Sequence, residues 1–250
     1  MEEINIKLPG MTNFRVQEAV KVLRTNLQFC GQSTRVIAIT STHENEGKTV
    51  VALHIAKSFA ELGKNVLVVD ADMRKSVIAG RNTDSTDYTG LSEVLNGLKK
   101  VSECIKATTV PHLFLLLAGK YPPNPVELLS GQFFASLITE ARKVYDYIII
   151  DTPPLGAVID AAVVASNCDG IALVIGDDSI SSRVVKGVVD QLKLSDCRIL
   201  GVIRNNARGS KRDGYYGKYG RYGKYGKYYG KYYGKQPQAE GAKKAEEAKQ

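Results

Sequence analysis

The 250-residue sequence predicts an α/β fold built on a doubly wound, mainly parallel sheet, and two observations carry that expectation. First, six apolar runs recur along the chain: RVIAIT (35–40), NVLVV (65–69), HLFLLL (112–117), YIII (147–150), GIALVI (170–175) and RILGVI (198–203). Several are apolar at consecutive positions, as strands covered on both faces must be. Second, helical patterns lie near 49–62, 91–99, 131–144, 157–167 and 180–194, and such alternation builds a parallel sheet with helices on both faces. Ahead of the first run, Phe14, Val16, Ala19, Val20, Leu23 and Leu27 recur at near-helical spacing and predict an amphipathic helix over 14–29. Polar, Gly and Pro content reads as loops over 75–90 and 118–125. Open α/β sheets bind ligands beyond the carboxyl ends of their strands, so the chemistry is sought there.

Composition divides the chain. Hydrophobic residues make up 44% and charged residues 24%, which suits one globular domain with an appendage. The net charge is +8, but residues 211–250 hold 11 Lys+Arg against 4 Asp+Glu, so that segment carries seven of the eight charges. A basic whole-chain nucleic-acid binder is thereby disfavoured. From about 209 the chain repeats Tyr-Gly every three or four residues with Lys or Arg between most copies, and Leu, Ile and Val vanish. Such a segment cannot bury enough apolar surface to offset chain entropy, and it is expected to be disordered. Cys30, Cys104, Cys168 and Cys197 are far apart in sequence and read as isolated buried thiols. The start MEEINIKLPG is no secretory signal, and no window approaches about 18 uninterrupted apolar residues. A soluble, cytoplasmic protein is expected.

Three strand ends carry chemistry. RVIAIT runs through STHENEGKT into the helix VVALHIAKSFAEL, and a strand, a tight loop and a helix N-terminus together form an anion site. There Lys48 would reach the outer phosphates of a nucleotide and Thr49 would hold Mg²⁺. The strict phosphate-loop pattern is not met, since Thr42 stands at its first glycine position. NVLVV ends in Asp70-Ala71-Asp72-Met73-Arg74, where two acids two residues apart share a face. YIII ends in Asp151-Thr152-Pro153-Pro154, an acid at a strand end suited to ordering Mg²⁺. Together they predict Mg-ATP binding on a sheet of P-loop NTPase type.

With VLVVDADMR, YIIIDTPP, PPNPVELL (122–129) and EAVKVLRTN (18–26) in view, the sequence resembles the bacterial tyrosine kinases of capsule and exopolysaccharide synthesis over residues 10–235. It departs from them at Glu44-Asn45, where the family usually has Pro-Gly. The ExxRxxR motif that the family uses in ring assembly reads Glu18, Lys21 and Arg24 here. The signature lysine of ParA- and MinD-type ATPases would fall at position 43, which is His43, so an ATPase switch is the alternative.

The resemblance implies an N-terminal helical segment at 1–34, a P-loop kinase domain at 35–208 and a disordered tyrosine-rich tail at 209–250. It implies nucleotide contacts at Glu46, Gly47, Lys48, Thr49, Val50 and Asn205, and Mg²⁺ held by Thr49, Asp72 and Asp151. Lys48, Asp70 and Asp72 are the catalytic candidates, with Asp70 orienting or deprotonating the acceptor phenol. The acceptors are Tyr215, Tyr216, Tyr219, Tyr222, Tyr225, Tyr228, Tyr229, Tyr232 and Tyr233. Implied partners are a membrane polysaccharide co-polymerase that recruits and activates the kinase through its cytoplasmic tail, further copies of the chain in a ring, and an opposing tyrosine phosphatase. Nucleic acid is not an expected partner, although a Tyr/Arg/Gly tail also suits RNA binding and a basic tail also suits anionic lipid.

Overall fold

The computed structural model describes residues 3–8, 13–84, 87–176 and 181–205. Two residues pair as a short first strand β1 (Glu3–Ile4), and helix α1 (Phe14–Phe29) follows over the predicted span. Asn13 caps α1, its side-chain oxygen accepting from the Arg15 N–H at 2.9 Å, and Val20 and Leu27 are its buried positions. Then come β2 (Val36–Ser41), α2 (Lys48–Ala60) and β3 (Val66–Asp70). Where a loop was expected over 75–90, Ile78–Asn82 form a single π-helical turn, with Ile78 buried beneath it. That turn fixes the N-terminal segment: Asn82 Nδ2 donates to Lys7 O, and Ile6 bridges Thr83.

The middle of the chain holds α3 (Leu91–Leu95), α4 (Val101–Cys104), β4 (Ile105–Thr108), β5 (Leu113–Leu116), α5 (Pro125–Ser130) and α6 (Gln132–Val144). β6 (Tyr147–Asp151), α7 (Asp160–Ala165), β7 (Gly170–Ile175), α8 (Ser182–Lys193) and β8 (Ile199–Arg204) complete it. Strand order across the sheet is β1-β4-β5-β3-β6-β2-β7-β8. Each neighbouring pair is parallel except β4 with β5, so the sheet is mainly parallel, as expected.

Period-two alternation along the central strands feeds two cores, one on each face of the sheet. Val36, Ala38, Leu67, Val69, Ile148, Ile150, Ile171 and Leu173 join one core with Phe134, Leu137 and Ile138 of α6. Ile37, Ile39, Val66, Val68, Ile149, Ala172 and Val174 join the other with Leu53, Ile55 and Phe59 of α2. Fully burying each Val, Leu, Ile or Phe contributes about 1.5–3 kcal/mol, so these strands hold the frame while their carboxyl ends stay free for chemistry. The two sequence tyrosines near β6 pack inside: Tyr145 is buried, and Tyr147 stacks on Phe59 with ring centroids 3.9 Å apart.

Candidate active site

Between the end of β2 and the start of α2 the chain turns through two left-handed residues, Asn45 at φ 63° and Gly47 at φ 85°. Asn tolerates that conformation and Gly adopts it without strain, which is why this loop closes without the Pro-Gly pair. A Cβ at position 47 would also lie 2.1 Å from Asn205 Nδ2 and force that amide to move. The loop wraps around the Glu46 carboxylate. That carboxylate is buried and accepts from the Thr42 N–H (2.7 Å), the Thr42 hydroxyl (2.7 Å), the His43 N–H (2.9 Å) and, from the end of β7, the Gly176 N–H (3.2 Å). Glu46 therefore turns its side chain into the loop instead of toward a ligand. Asn205 follows β8 and donates through Nδ2 to Glu46 O at 2.9 Å, so its amide too is engaged with the loop backbone.

Three neighbouring strands, β3, β6 and β2, end together, and their register sets Asp70 directly opposite Asp151. The Thr49 hydroxyl donates to Asp151 Oδ2 at 2.6 Å. Lys48 Nζ lies 3.0 Å from Asp72 Oδ2, 3.7 Å from Asp151 Oδ1 and 3.3 Å from Thr49 Oγ1. Asp70 accepts from the Ser76 hydroxyl at 2.5 Å and from the Asp72 N–H at 3.1 Å. All three carboxylates are buried. Burial first, and then the Asp151 charge, push the Asp70 carboxyl well above the usual range, while burial outweighs the Lys48 ammonium in raising Asp151. Burial works against the Lys48 charge, but Asp151 and Asp72 outweigh it and raise the pKa.

This donor set suits a hard divalent cation. Asp151 Oδ1 is buried and takes no hydrogen bond, leaving an oxygen for a ligand to use. Among the described residues no three His, Cys, Asp or Glu side chains form a metal cage by themselves. Mg²⁺ does not need one, because it keeps waters and phosphate oxygens beside one or two carboxylates.

The cluster opens on a cavity of about 300 Å³ lined by Gly47, Lys48, Thr49, Val50 and Asp72, with Arg74 and Lys75 among the residues opposite. Arg74 is held by a two-pronged pair to the buried Asp160 at the start of α7, Nε at 2.8 Å and Nη2 at 3.2 Å. A cavity lined by four cationic side chains, Lys48, Arg74, Lys75 and Arg81, beside the carboxylate cluster can hold a polyphosphate and its counter-cation.

Comparison with known proteins agrees. A model of the AAA domain family matches residues 34–193. The chain is 40% identical over 208 residues to the tyrosine-protein kinase CpsD of Streptococcus agalactiae, covering 82% of this chain and 91% of that one. It belongs to the bacterial tyrosine-kinase family. The kinase is also 35% identical over 205 residues to YwqD of Bacillus subtilis (strain 168), a tyrosine-protein kinase, covering 80% of this chain and 86% of the relative. In three dimensions it matches the kinase domain of Escherichia coli tyrosine kinase ETK with a TM-score of 0.77 at 30% identity, over 83% of each chain. The kinase is thus a protein-tyrosine kinase, a transferase on a nucleotide-using fold of P-loop NTPase type.

Other predicted positions lie apart from the cavity. On α1 the Lys21 ammonium pairs with Glu18 at 2.8 Å, both exposed, while Arg24 Nη1 donates to Ser58 O at 2.9 Å and Ser58 Oγ at 3.0 Å on α2. The acceptors from Tyr215 to Tyr233, like the rest of the predicted tail, fall outside the described residues. His43 is exposed. Of the cysteines only Cys104 is buried, and Cys30, Cys168 and Cys197 are partly exposed. No helix among the described residues is long and apolar enough to cross a membrane. The roles of Ser76 and Asp160 in this network are not legible in the sequence: each is a single polar residue in an unremarkable stretch, Ser76 brought to Asp70 by the turn after β3 and Asp160 to Arg74 by the start of α7.

Proposed function

We propose that the kinase transfers the terminal phosphoryl group of ATP to tyrosines of its own C-terminal segment, at Tyr215, Tyr216, Tyr219, Tyr222, Tyr225, Tyr228, Tyr229, Tyr232 and Tyr233, and that it thereby regulates synthesis and export of a capsular polysaccharide or exopolysaccharide. One observation carries the reading: Lys48, Thr49, Asp70, Asp72 and Asp151 converge where three adjacent strands end, and Lys48, Thr49 and Asp72 of this cluster line the cavity.

In this mechanism the loop backbone at Gly47, Lys48, Thr49 and Val50 and the N-terminus of α2 hold the phosphates. Lys48 leaves the carboxylates to neutralise phosphate charge. Thr49, Asp72 and Asp151 hold Mg²⁺, which supplies further neutralisation of the phosphate oxygens when bound. Asp70 orients the acceptor phenol and takes its proton in this reading, displacing the Ser76 hydroxyl that now donates to it. The phenol oxygen bonds to the terminal phosphorus, the bond from that phosphorus to the bridging oxygen breaks, and ADP departs with the electron pair. Catalysis is mainly positioning and charge neutralisation, as the loose transition state requires.

The tail is presented by a neighbouring copy in a ring assembled through Glu18, Lys21 and Arg24. A membrane polysaccharide co-polymerase recruits the cytoplasmic kinase and activates it through its cytoplasmic tail, and a tyrosine phosphatase opposes it. The chain then divides into an assembly segment at 1–34, a kinase domain at 35–208 and an acceptor tail at 209–250.

Mass spectrometry of the full chain incubated with Mg-ATP, with and without a candidate activator tail, tests this beside Lys48→Met. Phosphate on tyrosines 215–233 that vanishes in the variant is the expected result. ATP hydrolysis without phosphotyrosine, even with activator, would make the protein an ATP-driven switch instead.

A further inference from the structure

Beside the carboxylate cluster a further cation of the cavity is held in reserve. Lys75 Nζ donates to Glu44 Oε2 at 2.6 Å, joining the segment after β3 to the phosphate loop, and both residues line the same cavity as Lys48 and Thr49. The two side chains are 70% and 53% exposed, and an ion pair so exposed adds little to stability. The contact therefore does little for the fold and opens readily. The base of Lys75 is fixed by contrast, because its N–H donates to Asp72 Oδ1 at 3.0 Å. A swinging ammonium is thus tethered to the carboxylate cluster, while Lys48 is already engaged by Asp72, Asp151 and Thr49.

We infer that Lys75 is a binding residue for the terminal phosphate of a nucleoside triphosphate, and that Glu44 is its counter-ion until that phosphate arrives. The inference rests on reading the cavity as the ATP site. The inner phosphates lie on the loop and the N-terminus of α2, so the terminal one extends toward the segment that carries Asp72 and Lys75. To engage Lys75 it must displace the Glu44 carboxylate, which then repels it. Glu44, standing where the family usually has proline, lowers triphosphate affinity and leaves diphosphate binding almost untouched. The pair makes the site discriminate between ATP and ADP.

Calorimetry on the full chain with Mg²⁺ and either ADP or a non-hydrolysable ATP analogue tests this. Because Lys75 works in solvent, Lys75→Ala weakens analogue binding by about three- to tenfold, below the range for a buried charged hydrogen bond, and changes ADP binding by less than about twofold. Lys75→Arg keeps the preference. Glu44→Gln tightens analogue binding, and the gain disappears in the Lys75→Ala background, as a double-mutant cycle requires for a direct interaction. Equal losses for ADP and analogue in Lys75→Ala, or weaker analogue binding in Glu44→Gln, overturn the inference. Lys48→Met separates the two levels: if it leaves both ligands bound as before, the ATP-site reading itself falls.

Discussion

The Thr49 hydroxyl donates to Asp151 Oδ2 across 2.6 Å and so ties the first turn of α2 to the end of β6. Among the described residues it is the hydrogen bond that Asp151 Oδ2 accepts, while Oδ1 takes none. Thr49→Val keeps the shape and removes the bond. Transfer of phosphate to tyrosine is expected to fall by about a hundredfold or more, the scale of losing one positioned polar group at a reacting centre. Stability falls by only about 1–2 kcal/mol. Thr49→Ser restores the hydroxyl and most of the rate. Radiolabel incorporation alongside thermal melts reads both, and an unimpaired Thr49→Val would remove this hydroxyl from the site.

Glu46 braces the phosphate loop from inside by accepting from Thr42, His43 and Gly176. Glu46→Gln preserves the size but replaces one acceptor oxygen with an NH₂ group that faces N–H donors. A loss of about 2–3 kcal/mol in stability is expected, the cost of leaving buried donors unmade, together with weaker nucleotide binding. Urea denaturation and calorimetry measure the two effects. If Glu46→Ala bound nucleotide as the wild type does, the loop would hold its form without the brace.

Where sequence and structure agree, the agreement has a local cause. β2, β3, β6 and β7 are short, apolar and covered on both faces, so their composition alone betrays them, and the acids that end β3 and β6 stand out against it. β4 was missed because Ile105–Thr108 contains Lys106, a residue that reads as surface yet is buried against Asp87. α5 is not predicted: the loop expected over 118–125 ends on Pro125, which occupies the first turn of the helix, where proline is favoured. At the site, the resemblance implies a nucleotide contact at Glu46 but says nothing of its side chain bracing the loop. The direction of a loop carboxylate depends on donors as distant as Gly176, and no local pattern encodes those.

Arg74 and Asp160 join the segments that follow β3 and β6, the two strands whose ends supply Asp70 and Asp151. Asp160 is fully buried and Arg74 is 32% exposed, so cutting the pair with Asp160→Asn costs about 2–3 kcal/mol, below the range for a wholly buried pair. Arg74→Lys keeps the charge but cannot form the two-pronged contact. It should retain most of the stability while losing roughly tenfold in rate, because the small misplacement of Asp72 that follows disturbs the reacting geometry. Melting curves and tyrosine-phosphate time courses on the two variants distinguish these effects; equal rates in wild type and Arg74→Lys would show that a single contact suffices.

Acid sensitivity has an identifiable source away from the cavity. The buried Lys106 ammonium on β4 pairs with Asp87 at 2.8 Å, and this bond, with the Thr89 N–H and hydroxyl, holds the Asp87 carboxyl down to about 2. In the unfolded chain an Asp carboxyl has a pKa of about 3.9, so above that value the folded state keeps the full benefit of the charge. As pH falls from about 4 to about 2 the folded carboxylate is protonated too, and the benefit disappears. Asp87→Asn is therefore expected to be less stable than wild type by roughly 1 kcal/mol at pH 7, a figure kept small because Asp87 is 44% exposed. The gap should close as pH approaches 2. Urea midpoints for both proteins between pH 7 and pH 2 measure it, and a gap that stayed constant over that range would show that the loss does not come from the carboxylate's charge.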